Sequence, residues 1–288
     1  MAILFDTSGE GLRRTAGTFL SNASNWTVFV WLRIVTQQIP SVGTFRTFFE
    51  ISNTTFAGYV FLGQGAAASN GGKIQVGADF NGASYLFFDD ILPALNTWYC
   101  AAVTYDATSF ALDYYRGTSA TDLALRGTVT QNLSTVTFDR QFLGDEGTPS
   151  YHNDAVEYYR DWQRKLTLAQ LQAEAATYTA ALATNLFTDT PIVVTGTLTD
   201  LSGNAHTWTA AGTISFLSPG ALPPPNISSA TAIDLTSLLP YTAAFNVQDA
   251  SVTGGVWYKY LAQAGDTVIG AWGFGALTGY APVTNVLD

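Results

Sequence analysis

Residues 98–117 read WYCAAVTYDATSFALDYYRG. The run begins with eight apolar or β-branched residues, passes through the turn-forming cluster DATS at residues 106–109, and continues into a second apolar run. Apolar runs of about four to eight residues that are bounded by turn-forming residues predict strands. This stretch therefore predicts two consecutive strands, residues 98–105 and 110–116, and the same pattern recurs on both sides of it.

Strands with similar patterns are predicted along most of the chain before residue 163. Turn clusters such as SNGG at residues 69–72 separate them. The spacing of about 8–12 residues between strands is typical of a β-sandwich. The further predicted strands are residues 2–6, 26–36, 46–52, 59–63, 73–80, 85–88, 125–129, 140–143 and 155–162.

One segment has a helical pattern instead. Residues 166–182 (LTLAQLQAEAATYTAAL) are rich in Ala and Leu, and their apolar residues recur at the spacing of one helix face. Thr167 is the predicted N-cap. We expect Leu168, Leu171 and Ala175 to face the sandwich.

The proline-rich stretch SPGALPPPN at residues 218–226 predicts an extended linker between two domains. The first domain, residues 1–217, ends with predicted strands at 192–196 and 208–216, which flank a turn cluster at 200–204. Residues 218–225 form the linker. The second domain, residues 226–288, has predicted strands at 241–246, 256–261, 267–271 and 283–287.

Composition restricts the class of protein. The 288 residues are 47 % hydrophobic and 14 % aromatic but only 12 % charged, which excludes a disordered chain and a charged coiled coil. The formal net charge is −10, and Lys and Arg together number 12. Such a chain lacks the basic surface that nucleic acid or an anionic membrane would require. The single cysteine, Cys100, lies in an apolar strand pattern and is predicted to fill the core.

The first residues, MAILFDTSGEG, have neither the basic segment nor the apolar segment of a Sec signal peptide. No stretch approaches the roughly 18 consecutive apolar residues of a membrane-spanning helix, so we expect no membrane insertion. The chain thus combines the composition of an extracellular β-protein with no recognisable export signal.

The first domain resembles the laminin-G-like, concanavalin A-like jelly rolls. Three stretches carry the resemblance: WTVFVW at 26–31, the pair of strands at 98–117, and the closing strand AVEYYRDWQRKLT at 155–167, which leads into a short helix. The turn DLSGNAH at 200–206 resembles a turn that is common in such proteins. The implied fold is all-β: a concanavalin A-like β-sandwich with one short helix, followed by a second, smaller β-sandwich domain.

The second domain resembles bacterial pre-peptidase C-terminal domains, which are small β-sandwiches attached to secreted enzymes and adhesins. The matching residues are NISSATAI at 226–233, LPYT at 239–242, VWYKY at 256–260 and GDT at 265–267. Residues 280–288 match a strand in the middle of such a domain. Further strands, or a partner that completes the sheet, are therefore expected.

Catalysis is considered because the concanavalin A-like superfamily includes glycoside hydrolases. Retaining hydrolysis needs two carboxylates about 5–5.5 Å apart. Glu157 and Asp161 have the spacing that places two residues on one strand face, but Tyr159 stands where such a motif would have its middle acid. We therefore expect a solvated strand face and no enzyme, with no catalytic residues.

Calcium is the predicted cofactor because many laminin-G-like domains bind it. The loop at residues 144–154 offers Asp145 and Asp154 as oxygen ligands, although no strict calcium motif is present, and solvated loop acids remain the alternative. The two histidines, His152 and His206, lack partners at zinc-binding spacing.

Aromatic side chains in or beside loops are the candidate glycan contacts, because the C–H faces of sugars stack on rings. These residues are Tyr151, Tyr85 and Tyr59. For each of them, core packing or a protein interface is the alternative interpretation.

A non-enzymatic surface protein of a bacteriophage virion accounts for these features together, because virion proteins leave the cell by lysis. We expect a capsid decoration, fibre or tail component that binds cell-surface glycans. Its partners would be other virion proteins and further copies of itself. The alternatives are a secreted or cell-surface bacterial adhesin and, third, a glycoside hydrolase or lyase.

Overall fold

The computed structural model describes residues 3–5, 10–14, 24–35, 46–53, 58–65, 72–80, 83–89, 91–133, 137–144, 154–177, 180–190, 198–206 and 208–216, and three short strands beyond them. Contacts between residues divide the chain into two units, Met1–Asn226 and Ile227–Asp288. No helix in the described part of the chain is long and apolar enough to cross a membrane.

The first unit consists of two antiparallel sheets. Sheet A has eight strands in the order β10-β9-β8-β3-β12-β1-β15, and β13 pairs with β12 alongside β1. Its strands are β1 (Ile3–Phe5), β3 (Trp26–Ile34), β8 (Trp98–Asp106), β9 (Ala111–Gly117), β10 (Ala124–Thr130), β12 (Asp154–Trp162), β13 (Leu186–Thr190) and β15 (Ser215–Phe216).

Sheet B has seven strands in the order β14-β2-β11-β4-β5-β6-β7. They are β2 (Gly11–Arg14), β4 (Arg46–Ser52), β5 (Gly58–Gln64), β6 (Ile74–Phe80), β7 (Ala83–Phe88), β11 (Arg140–Gly144) and β14 (Thr209–Ala211). All strand pairs in both sheets are antiparallel, including pairs such as β3 with β8 that are far apart in sequence.

The two sheets pack face to face because side chains alternate along each strand. In β3, Val28, Val30 and Leu32 join the main core between the sheets, whereas Phe29 and Trp31 point to the other side of sheet A. There they form a second apolar cluster with residues of the helix. Sheet A is therefore buried on both faces along β3, which explains its continuous apolar sequence.

Helix α1 (Leu168–Ala175) is shorter than the predicted 17-residue segment. Thr167 is the N-cap as predicted, and it forms a capping box with Gln170. Leu171 and Ala175 face the sheet, but the expectation for Leu168 is wrong, because its side chain is 37 % exposed. The narrow apolar stripe of this short helix contacts the sheet with one face only.

The all-β jelly-roll class with one short helix is confirmed. Two strands were not predicted: β2, which has the sequence GLRR, and β13, which has the sequence LFTDT. Both contain polar residues at positions that sequence patterns assign to loops. The predicted strand at 208–216 is divided into β14 and β15, and the predicted strand at 192–196 lies outside the described residues.

The described part of the second unit is a three-stranded antiparallel sheet in the order β16-β17-β18. These strands are β16 (Phe245–Gln248), β17 (Val256–Tyr260) and β18 (Ala271–Phe274). The predicted strand at 256–261 is confirmed, whereas its two neighbours each begin four residues later than predicted. The linker at 218–225 and the predicted strand at 283–287 are outside the described residues.

Candidate functional site

The expected face shared by Glu157 and Asp161 does not exist. Strand β12 contains a β-bulge, in which Tyr158 has a φ of 50° and two residues lie opposite one residue of β3. As a result Glu157 pairs with Trp31 on the helix side, and Asp161 pairs with Val28 on the core side. Both side chains are also fully buried, so the expectation of a solvated strand face is wrong.

Asp161 belongs to a polar network between the two sheets. Its Oδ2 accepts hydrogen bonds from Gln141 Nε2 at 2.9 Å and from the Tyr159 hydroxyl at 3.0 Å. Arg14, on sheet B, donates to the same oxygen at 3.5 Å and also to Gln141 and Thr188. Burial raises the pKa of Asp161 above its ordinary value, although Arg14 opposes this shift. The network links the sheets and has no exposed atoms with which to act on a ligand.

Two further buried arginines fix elements of sheet A through ion pairs. Arg116 donates from Nε to Asp89 Oδ2 at 2.6 Å, which ties β9 to the segment after β7. Arg160 contacts Glu174 Oε2 and Asp189 Oδ1, both at 3.0 Å, and so joins β12 to helix α1 and to β13. These pairs are structural, because their charged atoms are turned away from solvent.

The predicted turn at residues 200–206 is confirmed as a loop organised by one carboxylate. Asp200 accepts hydrogen bonds from the backbone N–H groups of Asp189, Ser202 and His206, each at 2.9 Å. Although burial acts to raise the pKa of Asp200, these backbone donors hold it below its ordinary value. The His206 Nδ1 lies 2.8 Å from the carbonyl oxygen of Phe187. These contacts organise the loop.

Among the described residues, no group of three or more His, Cys, Asp or Glu side chains could hold a metal ion. The predicted calcium ligand Asp145 lies outside these residues, and Asp154 is described only as the first residue of β12. Cys100 is buried as predicted, and burial raises the pKa of its thiol to about 12.

The face of sheet B that points away from the core carries a row of residues across all seven strands. The pairing registers align one residue from each strand, because paired residues of antiparallel strands lie on the same face. We call it the outer row, and its members are Thr209, Arg13, Phe142, Glu50, Phe61, Gly77 and Leu86. Arg140, Ser52 and Tyr59 form a second row beside it.

Exposure along the outer row rises from its middle to both ends. Phe142, Glu50 and Phe61 are at most 4 % exposed, whereas Leu86 is 44 % exposed and Thr209 is exposed at the other end. Tyr59 is half-buried, and the centroid of its ring lies 5.8 Å from that of Phe61. Phe61 therefore supports the Tyr59 ring from the middle of the sheet.

Glycine is required within this row. A Cβ atom on Gly77 would lie 2.5 Å from Leu86 Cδ2 and 2.8 Å from Phe61 Cε1. The bare backbone at this position lets both neighbouring side chains approach each other across β6.

The predicted glycan contacts do not form one site. Tyr59 and Tyr85 pair with Asp79 and Ala78, which are consecutive residues of β6, so positions 59 and 85 lie on opposite faces of sheet B. Tyr151 is outside the described residues, in the connection that follows β11. Arg140, at the start of β11, pairs with Ser52, and Ser52 also pairs with Tyr59. The connection leaves from the other end of β11, and so it begins at the opposite end of sheet B from Tyr59.

Of the three predicted aromatic residues, Tyr59 is thus the one that the described structure places on an outward-facing sheet surface. Sequence reasoning missed its neighbours Arg13, Phe61 and Phe142. Their alternation with core residues such as Leu12 and Leu62 was visible in the sequence. The order of the strands, which brings them together, was not.

Comparisons with known proteins agree with the fold. No protein-family model matches the chain, and no curated protein matches it in sequence. In structure, the chain is similar to a proposed carbohydrate-binding protein from Bacteroides ovatus, with a TM-score of 0.50 and 14 % identity. The similarity covers 74 % of this chain and 61 % of that protein. At such identity the likeness shows the fold alone.

Two other solved structures have lower scores. A heptameric SAP-like pentraxin from Limulus polyphemus gives a TM-score of 0.49 at 13 % identity, over 74 % of this chain and 93 % of that one. Tailspike protein 2 of an Escherichia coli bacteriophage gives 0.47 at 11 % identity, over 66 % of this chain and 26 % of that one.

Proposed function

We propose that the first unit is a glycan-binding domain and that it binds on the outer face of sheet B. The observation that carries this proposal is the position of Tyr59. Its ring is half-buried and packs beside Phe61, and Arg140, which is also half-buried, lies in the same row. A partly exposed ring near a polar side chain is a combination that binds the C–H faces and hydroxyl groups of a sugar.

The similarity in fold to a proposed carbohydrate-binding protein supports the same reading. Because the fold hosts more than one function, the proposal depends on the residues of the face rather than on the fold.

The test is glycan-array binding of the full chain and of the Tyr59→Ala variant. We expect Tyr59→Ala to weaken binding about tenfold or more, as is common when a central aromatic contact is removed. Leu125→Ala is the matched control, because Leu125 is an exposed apolar residue on sheet A. A Tyr59→Ala variant that folds and binds like wild type would refute this location for the site.

We propose further that binding is not followed by catalysis. Glu157 and Asp161 support this, because two buried carboxylates on opposite faces of a sheet cannot flank one glycosidic bond. Incubation of the full chain with every glycan that it binds should release no new reducing ends.

The location and cofactor proposals rest on the sequence. We propose a virion or cell-surface protein, because a surface with so few charges suits contact with neighbouring subunits. Purified phage particles that contain the chain would support the location in a virion.

We also propose that calcium binds through Asp145 and Asp154, because carboxylate oxygens are ligands that suit this ion. The resemblance of the second unit to pre-peptidase C-terminal domains belongs with these proposals.

A further inference from the structure

Strand β7 is a free edge of sheet B. It pairs with β6 in an unbroken register from Ala83 to Phe88, and no described strand pairs with its other side. Leu86, on the outer face, is 44 % exposed. Phe87 packs against the main core and yet is only half-buried. Within the described part of the chain, the side of the sandwich beyond β7 is therefore open.

The other described edges of the first unit are protected. Strand β10 has a bulge between Leu125 and Gly127, which interrupts its register. Strands β14 and β15 are only three and two residues long. The edge of β13 is covered by a loop, because the Asp189 N–H donates to Asp200 and the Asp189 carbonyl oxygen accepts from the Leu201 N–H. Proteins shield edge strands by such devices, since an unshielded edge pairs readily with another strand.

Strand β7 has none of these devices. Its sequence, ASYLFF, contains no charged residue and no proline, and its register has no bulge. The connection that follows, residues 91–97, is also uncharged, and Ile91, Leu92 and Leu95 in it are between 42 and 46 % exposed. Four of the seven large hydrophobic side chains that are exposed in the described part of the chain thus lie between residues 86 and 95. Such a concentration is typical of a protein interface.

The connection at residues 91–97 is held in one conformation by hydrogen bonds to sheet A. The Ala94 N–H donates to the Tyr99 hydroxyl at 2.8 Å, and the Asn96 N–H donates to the Ile34 carbonyl oxygen at 2.7 Å. Its exposed apolar side chains are therefore already placed before any partner arrives. A preformed surface loses less conformational entropy when it binds.

We propose that β7 pairs in an antiparallel manner with β7 of a second copy of this chain, around a two-fold axis. The axis must stand perpendicular to the sheet, because only this orientation makes the two edge strands antiparallel. It also keeps the outer faces of both copies on one side, so paired residues must come from the same face. Pairing of Leu86 with Leu86 of the second copy, flanked by pairs of Ser84 with Phe88, meets this condition and covers the exposed Leu86.

Charge favours a second copy as the occupant. The chain has a formal net charge of −10, and near a two-fold axis each charged residue faces its own copy. Strand β7 and residues 91–97 contribute no charge to such a contact. Of the two acids between them, Asp89 is buried in its pair with Arg116, and Asp90 comes two residues after the end of the strand. The strand pair therefore brings no like charges together.

The open side is large enough for a dimer contact. Six strand residues span about 20 Å, and two sheets about 10 Å apart with their outward side chains are about 20 Å deep, so the outline is on the order of 400 Å². The accessible area exceeds this outline, because side chains protrude and residues 91–97 extend it. The total then approaches the value of about 800 Å² per partner of a standard interface.

The first experiment is sedimentation equilibrium of the full chain and of Leu86→Lys. We expect wild type to have twice the mass of one chain. Leu86→Lys should raise the dissociation constant of the dimer at least about tenfold, because two ammonium groups would meet at the axis. Leu201→Lys is the matched control, since Leu201 is 61 % exposed in the loop that covers β13, and it should remain dimeric. Thermal unfolding of each variant excludes a loss of fold.

The second experiment tests the register by cross-linking. Side chains directly opposite each other across an antiparallel pair are close enough for a disulfide. Leu86→Cys should therefore form a covalent dimer under mild oxidation, seen on a non-reducing gel. Leu201→Cys should not, and the natural Cys100 is buried and should not react.

Two results would overturn the proposal. One is a wild-type chain that stays monomeric up to about 100 μM. The other is a dimer whose dissociation constant is the same for Leu86→Lys and wild type. Neither result would affect glycan binding at Tyr59, because Tyr59 lies on β5, two strands away from the edge.

Discussion

Tyr158 is a single residue that decides where two acids point. With its φ of 50°, it inserts an extra position into β12, so that the residues before and after it lose the alternation expected of a strand. Without the bulge, Glu157 and Asp161 would share a face. With it, Asp161 enters the core and joins Arg14, whereas Glu157 lies on the helix side. Spacing alone could not reveal this change.

Asp89 gives a prediction at the same scale. It is fully buried and accepts two hydrogen bonds from Arg116, at 2.6 and 3.2 Å. The Asp89→Ala variant would leave the buried guanidinium of Arg116 without its carboxylate. We expect the free energy of unfolding to fall by about 3–5 kcal/mol, measured by urea denaturation.

Lys165→Met is the control for this prediction. Lys165 pairs with Asp113 at 2.8 Å and with Asp106 at 3.6 Å, and all three side chains are partly exposed. Removal of this pair should cost no more than about 1 kcal/mol. If both variants lost the same free energy of unfolding, burial would not make the Arg116–Asp89 pair more important for stability than the exposed Lys165 pair.

At the scale of elements, the loop between β13 and β14 depends on the charge of Asp200. The carboxylate binds three backbone N–H groups, and these hold its folded-state pKa below the unfolded value of about 3.9. A depressed carboxyl pKa adds stability above the unfolded pKa, and this stability is lost as the pH falls through the folded pKa.

The Asp200→Asn variant removes this charge and keeps the shape of the side chain. We therefore expect wild type to exceed the variant in free energy of unfolding at neutral pH, and the difference to shrink as the pH drops below about 4. Denaturation curves across this pH range give the measurement. A difference that is constant with pH would contradict the role of the charge.

Sequence patterns predicted the elements of this fold well where apolar residues dominate. Strands β3 and β8 are examples, as is the capping box at Thr167. They failed for β2, whose two arginines point to opposite faces of one short strand. The candidate site was predicted only at Tyr59, because the outer row is assembled by strand order and no local pattern encodes that order.

At the scale of the whole molecule, the few charged residues of the chain are partly used inside the protein. Charged residues make up 12 % of the chain, and several of them are buried in pairs. The described buried charges that form ion pairs are Arg14, Asp89, Arg116, Arg160, Asp161, Glu174 and Asp189. These seven charges are therefore withdrawn from the surface of the part of the chain that the structure describes.

The central claim is that a glycan binds at Tyr59 on the outer face of sheet B. The most direct measurement is a crystal structure of the full chain with the oligosaccharide that binds most tightly on the array. We predict a sugar ring stacked on Tyr59. A sugar bound instead in the connection between β11 and β12, around Tyr151, would contradict the claim.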